Sequence, residues 1–138
     1  MKPGGDRTEI LFKTLLDSAD VEEQFENIIN ECQKNKTKYK DPEFYPQKSL
    51  TDEDAIELRD CEWRRIEDQY PTLFDNISPE SVKQGNLGDC YFIISLIYAS
   101  RHKDLVKLLF HPKSSLQYGV VLVYFWYLGE KIPVIVDT

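Results

Sequence analysis

The sequence predicts an α+β fold, in which a mostly helical body is followed by a C-terminal β-hairpin. Three observations support this class. Apolar residues recur at helical spacing from Asp20 to Cys32, an almost wholly apolar segment runs from Cys90 to Ala99, and a glycine turn separates two strand-like runs after Tyr118. The 138 residues, 41% of them hydrophobic, are enough for one compact domain with a core and too few for two of ordinary size.

Charge and composition restrict the partners and the compartment. A formal net charge of -7 argues against a nucleic-acid or anionic-membrane partner, because both would repel the chain. The polar start Met1–Asp6 does not resemble a secretory signal, and the longest apolar run, Val120–Leu128, is far shorter than the ~20 residues of a membrane-spanning helix. The three cysteines match neither a zinc site nor a disulfide framework. We therefore expect a cytoplasmic protein with reduced thiols.

The first helix is predicted from Asp20 to Cys32, where Asp20 and Glu23 form a capping box. An earlier stretch, Glu9–Leu16, has similar spacing, and the two segments form either a helical hairpin or one interrupted helix.

The middle of the chain begins with a basic link, Lys34–Lys40, followed by Asp41–Pro46, where two prolines favour extended chain or loop. Acidic residues after Thr51 suit a helix start, and this helix is predicted to continue towards Trp63 or Ile66.

The most informative segment is a glycine-punctuated loop that starts at Gln84 and runs directly into the apolar segment at Cys90. Between Cys90 and Ala99 only Ser95 is polar, so a helix here would be apolar on all faces and buried in the core. β-branched and aromatic residues also permit a strand. The length of the segment and its polar continuation, Ser100–Lys103, favour the helix.

A cysteine in the first turn of such a helix faces unpaired backbone N–H groups and the positive end of the dipole, and both favour the thiolate. Acyl transfer also needs donors for the developing oxyanion, and the amide of Gln84 and the backbone N–H of Cys90 are the candidates. Gly85 and Gly88 are expected to let the loop turn tightly and let a substrate backbone approach. Asp89 is expected to cap the helix.

Each of these residues also has a structural interpretation. Cys90 could be a buried structural thiol, and Gln84 an ordinary loop residue. Ser95 is expected to be a buried hydroxyl bonded to a preceding carbonyl. Cys32 and Cys61 are interpreted as ordinary residues on helix faces.

After the apolar helix, a second helix is predicted within Asp104–Phe110. Tyr118–Leu128 is then predicted to be a strand that packs on the core and pairs with Ile132–Val136 through the turn Leu128–Lys131. We assign its aromatic residues to packing and not to chemistry.

The nonapeptide Gln-Gly-Asn-Leu-Gly-Asp-Cys-Tyr-Phe, residues 84–92, resembles the active-site signature of the calpains, which are papain-fold cysteine proteases of the cytosol. Papain-like proteases place the oxyanion glutamine six residues before the nucleophile, the spacing of Gln84 and Cys90. Further segments resemble the family over roughly residues 40 to 138: Asp41–Phe44, Ser49–Leu50, Trp63–Arg65 and Gly129–Asp137.

The resemblance implies a papain-like first lobe, with a calpain-type catalytic domain from residue 39 to 138 and a helical extension of unknown role from 1 to 38. It implies that Cys90 is the nucleophile, that Gln84 belongs to the oxyanion hole and that Gly88 lies beside the substrate backbone. The aromatic residue after the nucleophile is usually Trp in the family and is Tyr91 here.

The family's catalytic His and Asn lie further downstream, in a second lobe that these 138 residues do not include. His102 would lie about 18 Å from Cys90 on a continuous helix, and His111 belongs to the next helix, so neither is expected to act as the base. We therefore expect no peptidase activity from this chain alone, unless a partner supplies the missing lobe.

Calcium is a cofactor in part of the family, but the position of an acidic ligand, nine residues before the nucleophile, is Ser81 here. We assign no cofactor and no metal ligand. Two hypotheses follow: a calpain-like endopeptidase acting on protein substrates, or a non-catalytic, truncated relative that serves as a protein-interaction module.

Overall fold

The computed structural model describes residues 18–42, 61–85 and 88–138. These contain three α-helices, α1 (Ser18–Asn35), α2 (Cys90–Ser100) and α3 (Lys103–Leu108), and two strands, β1 (Val120–Tyr127) and β2 (Glu130–Asp137). Short 3₁₀ turns lie at Ile66–Asp68, Pro79–Ser81 and Leu116–Tyr118. Helices combined with one antiparallel sheet confirm the α+β class. The predicted helix at Glu9–Leu16 and the predicted helix start at Thr51 lie outside the described residues.

α1 is longer at both ends than the spacing of its apolar residues predicted. It begins at Ser18, so Asp20 lies inside the first turn, where its charge suits the helix dipole. At the other end Lys36 takes a left-handed conformation with φ of 52°. The Thr37 N–H then donates to the Cys32 carbonyl at 3.1 Å, which closes the helix as a Schellman motif does. The first two residues of the predicted basic link, Lys34 and Asn35, therefore belong to α1. The rest of the link, residues 36–40, is irregular.

The C-terminal hairpin is confirmed. β1 and β2 pair antiparallel in a continuous register from Val120 opposite Asp137 to Tyr127 opposite Glu130. The two turn residues, Leu128 and Gly129, have φ of 51° and 85°. Two consecutive positive φ values are those of a type I′ turn, whose twist matches that of the strands it joins.

The core of the described residues lies between α1 and the hairpin. Phe25 of α1 and Val120 and Leu122 of β1 are completely buried, and Ile29 and Tyr124 are nearly so. The core of the described residues thus lies between α1 and the hairpin, whereas the sequence led us to expect it around the helix that begins at Cys90. The apolar face of α1 is covered by the hairpin, whereas no element of the described residues covers α2 in the same way.

α2 itself is exposed over much of its surface, which corrects the prediction of a buried helix. Tyr91, Ile94 and Tyr98 are 75%, 53% and 65% exposed, and of the helix residues only Ser100 is buried. α3, the Pro79–Ser81 turn and β1 contact one side of α2. A helix that is apolar all round is buried only if packing partners surround it, and the described residues supply partners on one side.

Residues 61 to 65 contain no helix, so the predicted continuation towards Trp63 is wrong. Arg65, in this irregular segment, holds distant parts of the chain together. Its Nη1 donates to the main-chain oxygen of Thr138 at 2.6 Å and its Nη2 to the Tyr39 carbonyl at 2.7 Å. Arg65 therefore joins three segments that are distant in sequence, which we call the Arg65 clamp.

Glu67 adds a second layer to the Arg65 clamp. Its carboxylate accepts hydrogen bonds from the Lys38 ammonium and, at 3.1 Å, from the Thr138 hydroxyl. Burial by itself raises the pKa of Glu67, but the hydrogen bonds from Lys38, its own backbone N–H and Thr138 outweigh burial and lower the pKa below its ordinary value. The carboxylate is thus held in its charged form by the contacts of the folded chain.

One partly polar contact lies at the edge of the core. The Lys131 ammonium lies 3.9 Å from the centroid of the Tyr124 ring and 3.5 Å from the Glu22 carboxylate. Burial, together with the hydrogen bond and the charge of Glu22, raises the pKa of Tyr124 to about 12. Tyr124 is therefore neutral at physiological pH, and α1, β1 and β2 meet around it.

Within the three described ranges, no helix has both the length and the apolar content that crossing a bilayer requires.

Candidate active site

Cys90 is the first residue of α2, and its side chain is exposed. The Asp89 carbonyl accepts from the N–H groups of Phe92 and Ile93 at 2.8 and 3.0 Å, so the helical ladder begins at once behind the cysteine. The first N–H groups of any α-helix have no partner within the helix. An anion that forms at Cys90 would meet these groups and the positive end of the helix dipole. The prediction of a helix is confirmed, and the alternatives of a strand and of a buried thiol are wrong.

Asp89 occupies the N-cap position as predicted, but its side chain does not cap the helix. Its backbone has φ of -103° and ψ of 21°, and no hydrogen bond runs from its side chain to the first turn. A normal N-cap has extended φ and ψ, which aims the side chain at the second and third N–H groups. Oδ1 of Asp89 is instead buried without a hydrogen-bond partner among the described residues.

Gln84 and the glycines of the loop are exposed on the chain that leads to α2. A Cβ built at Gly85 or Gly88 would meet no atom of the described residues within 4 Å, apart from the chain neighbours of the glycine. Space is therefore open above both glycines, which is what the approach of another backbone requires. Asn86 and Leu87, between them, lie outside the described residues.

The resemblance to the calpains places Ser81 where calcium-binding members have an acidic ligand. The hydroxyl of Ser81 has hydrogen-bond partners nearby in the sequence. Its hydroxyl donates to the Asn76 carbonyl at 2.8 Å and lies 3.0 Å from the Ser78 hydroxyl. In the ranges that the structure describes, no three His, Cys, Asp or Glu side chains are close enough together to hold a metal ion.

His102 lies between α2 and α3, as the N-cap residue of α3. α2 ends at Ser100, so the single continuous helix assumed for the distance argument is not present. The conclusion is unchanged, because the His102 N–H still donates to the Ala99 carbonyl at 2.9 Å, so the chain stays at the far end of α2. Ala99 lies about 13 Å along the helix axis from Cys90. His102 stays outside hydrogen-bond range of Cys90.

His111 is half-buried against α1, away from the start of α2. Its ring packs edge-on against Phe25, with centroids 5.1 Å apart, and its Nδ1 accepts from the Lys113 N–H at 3.2 Å. His111 therefore packs beside the core, and it lies after the end of α3 at Leu108 and not within that helix as predicted.

Cys32 and Cys61 differ from Cys90 in their surroundings. Cys32 is buried on α1, and burial, followed by the charge of Glu31, raises the pKa of its thiol. Cys61 is exposed, as Cys90 is, but lies in an irregular segment and not on a helix face as predicted. Cys61 is thus a natural control for the effect of the helix start on Cys90.

Ser95 shows how the partial exposure of α2 alters a local prediction. Its hydroxyl donates to the Tyr91 carbonyl at 3.1 Å, as predicted, but the residue is exposed and not buried. The hydrogen bond depends on the helix alone, whereas burial depends on what packs against it.

Comparison with known proteins decides the family. The family model for calpain family cysteine proteases matches residues 39–138, which is most of the chain. This chain belongs to the calpain family. The match includes the loop with Gln84 and the whole of α2, and it ends at the last residue of the chain.

Individual calpains agree with this assignment. Calpain clp-4 of Caenorhabditis elegans is 31% identical over 120 residues, which is 82% of this chain and 17% of the relative. The calpain-2 catalytic subunit of Mus musculus is 23% identical over 128 residues, 85% of this chain and 18% of the relative. The calpain-type cysteine protease DEK1 of Arabidopsis thaliana is 31% identical over 71 residues, 51% of this chain and 3% of the relative.

The chain therefore spans less than a fifth of the length of these calpains. No solved structure matches it.

Proposed function

We propose that this chain is the nucleophile-bearing part of a calpain-like cysteine endopeptidase, in which Cys90 is the nucleophile and Gln84 a donor of the oxyanion hole. The observation that carries the proposal is the exposed thiol of Cys90 at the first residue of α2. An exposed thiol at a helix N-terminus is accessible, and its anion is stabilised there. Family membership supplies the reaction class, which is hydrolysis of peptide bonds in protein substrates.

In the proposed reaction the Cys90 thiolate attacks the carbonyl carbon of a peptide bond, and a carbon–sulfur bond forms as the carbonyl oxygen becomes an oxyanion. The amide of Gln84 and the N–H of Cys90 stabilise that oxyanion. Its collapse breaks the carbon–nitrogen bond, and the amine leaves with a proton from an acid, after which water hydrolyses the thioester. The histidine that serves as acid and base in papain-like proteases belongs to the part of a calpain that follows this one, so we expect no peptide turnover from this chain alone.

The open space above Gly85 and Gly88 supports a substrate backbone in contact with Gly88. By analogy with the family we further propose that residues 39–138 form a papain-like first lobe and that the protein acts in the cytoplasm. Residues 1–38 are proposed to be an extension, although α1 within them contributes two of the five residues of the described core, Phe25 and Ile29.

Acylation by an activated ester tests the roles of Cys90 and Gln84 without requiring the missing histidine. A peptide p-nitrophenyl ester has a leaving group that departs without a proton, so the chain should release one equivalent of nitrophenolate in a burst. Peptide mass spectrometry should place the acyl group on Cys90 and not on Cys61 or Cys32. Acylation spread equally over Cys90 and Cys61 would contradict the proposal, because both are exposed and only Cys90 begins a helix.

The role of Gln84 is tested with two reagents. Gln84→Ala should slow the ester burst, since removal of one oxyanion donor costs about 10²- to 10³-fold in complete enzymes. The same substitution should leave alkylation of Cys90 by iodoacetamide unchanged, because that displacement forms no oxyanion. Gln117→Ala, at another exposed glutamine, is the matched control and should change neither rate. If Gln84→Ala slowed the ester burst and the alkylation equally, the substitution would have disturbed the loop, and Gln84 would not be an oxyanion donor.

A non-catalytic interaction module is the second candidate, and the exposed apolar side chains favour it. Besides the α2 residues already named, Trp126 and Leu128 at the end of the hairpin are 64% and 84% exposed. Such residues commonly mark surfaces that bind other proteins. Concentration-dependent association in sedimentation experiments, together with an ester burst no faster than that of free cysteine, would favour this function over catalysis.

A further inference from the structure

A cavity of about 530 Å³ separates α2 from β1. Phe92, Leu96 and Ala99 of α2 form one wall, and Val123 and Phe125 of β1 form the opposite wall. α3 and the segment around the Pro79–Ser81 turn close the remaining sides. The sequence signal for this cavity is weak and consists of two small residues, Ser95 and Ala99, four apart on one helix face.

The chemistry of the lining is almost purely apolar. Among the residues that the structure describes, none of those that line the cavity carries a charge. Three of its serine hydroxyls donate to backbone carbonyls: Ser81 to Asn76, Ser95 to Tyr91 and Ser100 to Ile97. The fourth serine hydroxyl, that of Ser78, lies 3.0 Å from the Ser81 hydroxyl, and the hydroxyl of Tyr124 is hydrogen-bonded to Glu22. A molecule in the cavity thus contacts mainly apolar surface, because most polar groups of the lining already have hydrogen-bond partners within the chain.

The size and the rim of the cavity favour a small molecule as occupant. Cavities that bind small ligands measure about 300 to 1,000 Å³. Well-packed interiors do not leave voids of this size, and apolar voids hold water poorly because water needs two or more polar partners. Phe125 and Trp126, which are 42% and 64% exposed, stand at the rim and leave a way in.

We propose that this cavity binds an uncharged, apolar small molecule that carries an aromatic ring or a branched alkyl group, held between α2 and β1. The rings of Phe92 and Phe125, whose centroids are 6.4 Å apart, offer it aromatic contacts. The proposal does not depend on the catalytic role of Cys90, because Cys90 does not line the cavity.

The test uses the full 138-residue chain and N-phenyl-1-naphthylamine, a neutral probe that fluoresces in apolar surroundings. We expect saturable binding with one probe per chain. In NMR spectra the probe should shift the methyl signals of Leu96, Val106 and Val123, which line the cavity. Shifts at Leu128 and Val134 instead would place the probe on the exposed surface and overturn the proposal, as would a fluorescence increase that does not saturate.

Substitutions then fill the cavity. Ala99→Phe puts a ring into it and should weaken binding at least tenfold, whereas Val134→Phe on β2 adds a ring outside it and should leave binding within twofold. Circular dichroism checks that both variants fold, and if Ala99→Phe does not fold, the methyl shifts of the unmodified chain decide. The sulfonated analogue 1-anilinonaphthalene-8-sulfonate should bind more weakly than the neutral probe, because no cation lines the cavity. Unchanged binding to folded Ala99→Phe, or preference for the sulfonate, would overturn the proposal.

Discussion

The Arg65 clamp leads to the sharpest stability prediction, because Arg65 and its neighbour Arg64 form an internal comparison. The Arg65 guanidinium donates to two main-chain oxygens, at Tyr39 and Thr138, in partly buried surroundings. The Arg64 guanidinium lies in an exposed ion pair with Glu62. The two residues have the same side chain and adjacent positions. They differ in their contacts, because Arg65 connects distant segments of the chain and Arg64 pairs only with a nearby exposed residue.

The expected loss in free energy of unfolding follows from these contacts. A hydrogen bond from a charged donor contributes about 1.5–3 kcal/mol. Because Arg65 is only partly buried, we take the lower end for each of its two bonds, and expect Arg65→Ala to lower the free energy of unfolding by about 3 kcal/mol. An exposed ion pair contributes roughly 0–1 kcal/mol, so Arg64→Ala should cost less than about 1 kcal/mol.

Urea denaturation, followed by circular dichroism and tryptophan fluorescence, measures both variants. Arg65→Lys should recover only part of the loss, since an ammonium cannot reproduce the two-pronged geometry of the guanidinium. If Arg65→Ala and Arg64→Ala differed by less than about 0.5 kcal/mol, which is the usual effect of a surface substitution, the clamp would not contribute to stability and the reasoning would be refuted.

Three further predictions concern residues near the clamp and the core. Gly119→Ala should destabilise more than Gly129→Ala in the same denaturation assay. Both have positive φ, but a Cβ at Gly119 would lie 2.6 Å from Nη1 of Arg65, whereas one at Gly129 meets no atom within 4 Å; equal losses would refute this. The pKa of Glu67 is lowered in the folded state, so its charged carboxylate stabilises the fold above about pH 4.3. This contribution is lost as the pH falls through the lower folded-state pKa. The stability difference between the wild type and Glu67→Gln should therefore shrink on acidification, and a constant difference from pH 7 to pH 3 would count against it. The raised pKa of Tyr124, about 12, predicts that Tyr124→Phe removes the last-titrating component of the absorbance at 295 nm, and stabilisation by the neutral phenol should fade as the pH rises from about 10 to 12. An unchanged titration curve in the variant would show that Tyr124 is not the group responsible.

The candidate site illustrates what sequence reasoning reaches and where it stops. The position of Cys90 at a helix start was predictable, because the change from a glycine loop to an apolar run is a local signal. The conformation of Asp89 was not, since its side chain makes no hydrogen bond to the first turn that it was expected to cap. Whether the Gln84 amide points towards the sulfur of Cys90 stays a prediction.

By itself the sequence determined the elements: α1, α2 and the hairpin all lie where local spacing and turn residues predicted them, within a few residues. Helical spacing and a two-residue turn depend on neighbours along the chain, so they can be recognised without knowing the fold. Only the tertiary structure decided which elements share a core. It paired α1 with the hairpin, left much of α2 exposed, and brought Arg65 to residues 39 and 138. Burial and such long-range hydrogen bonds depend on partners far away in the sequence, and no local pattern contains that information.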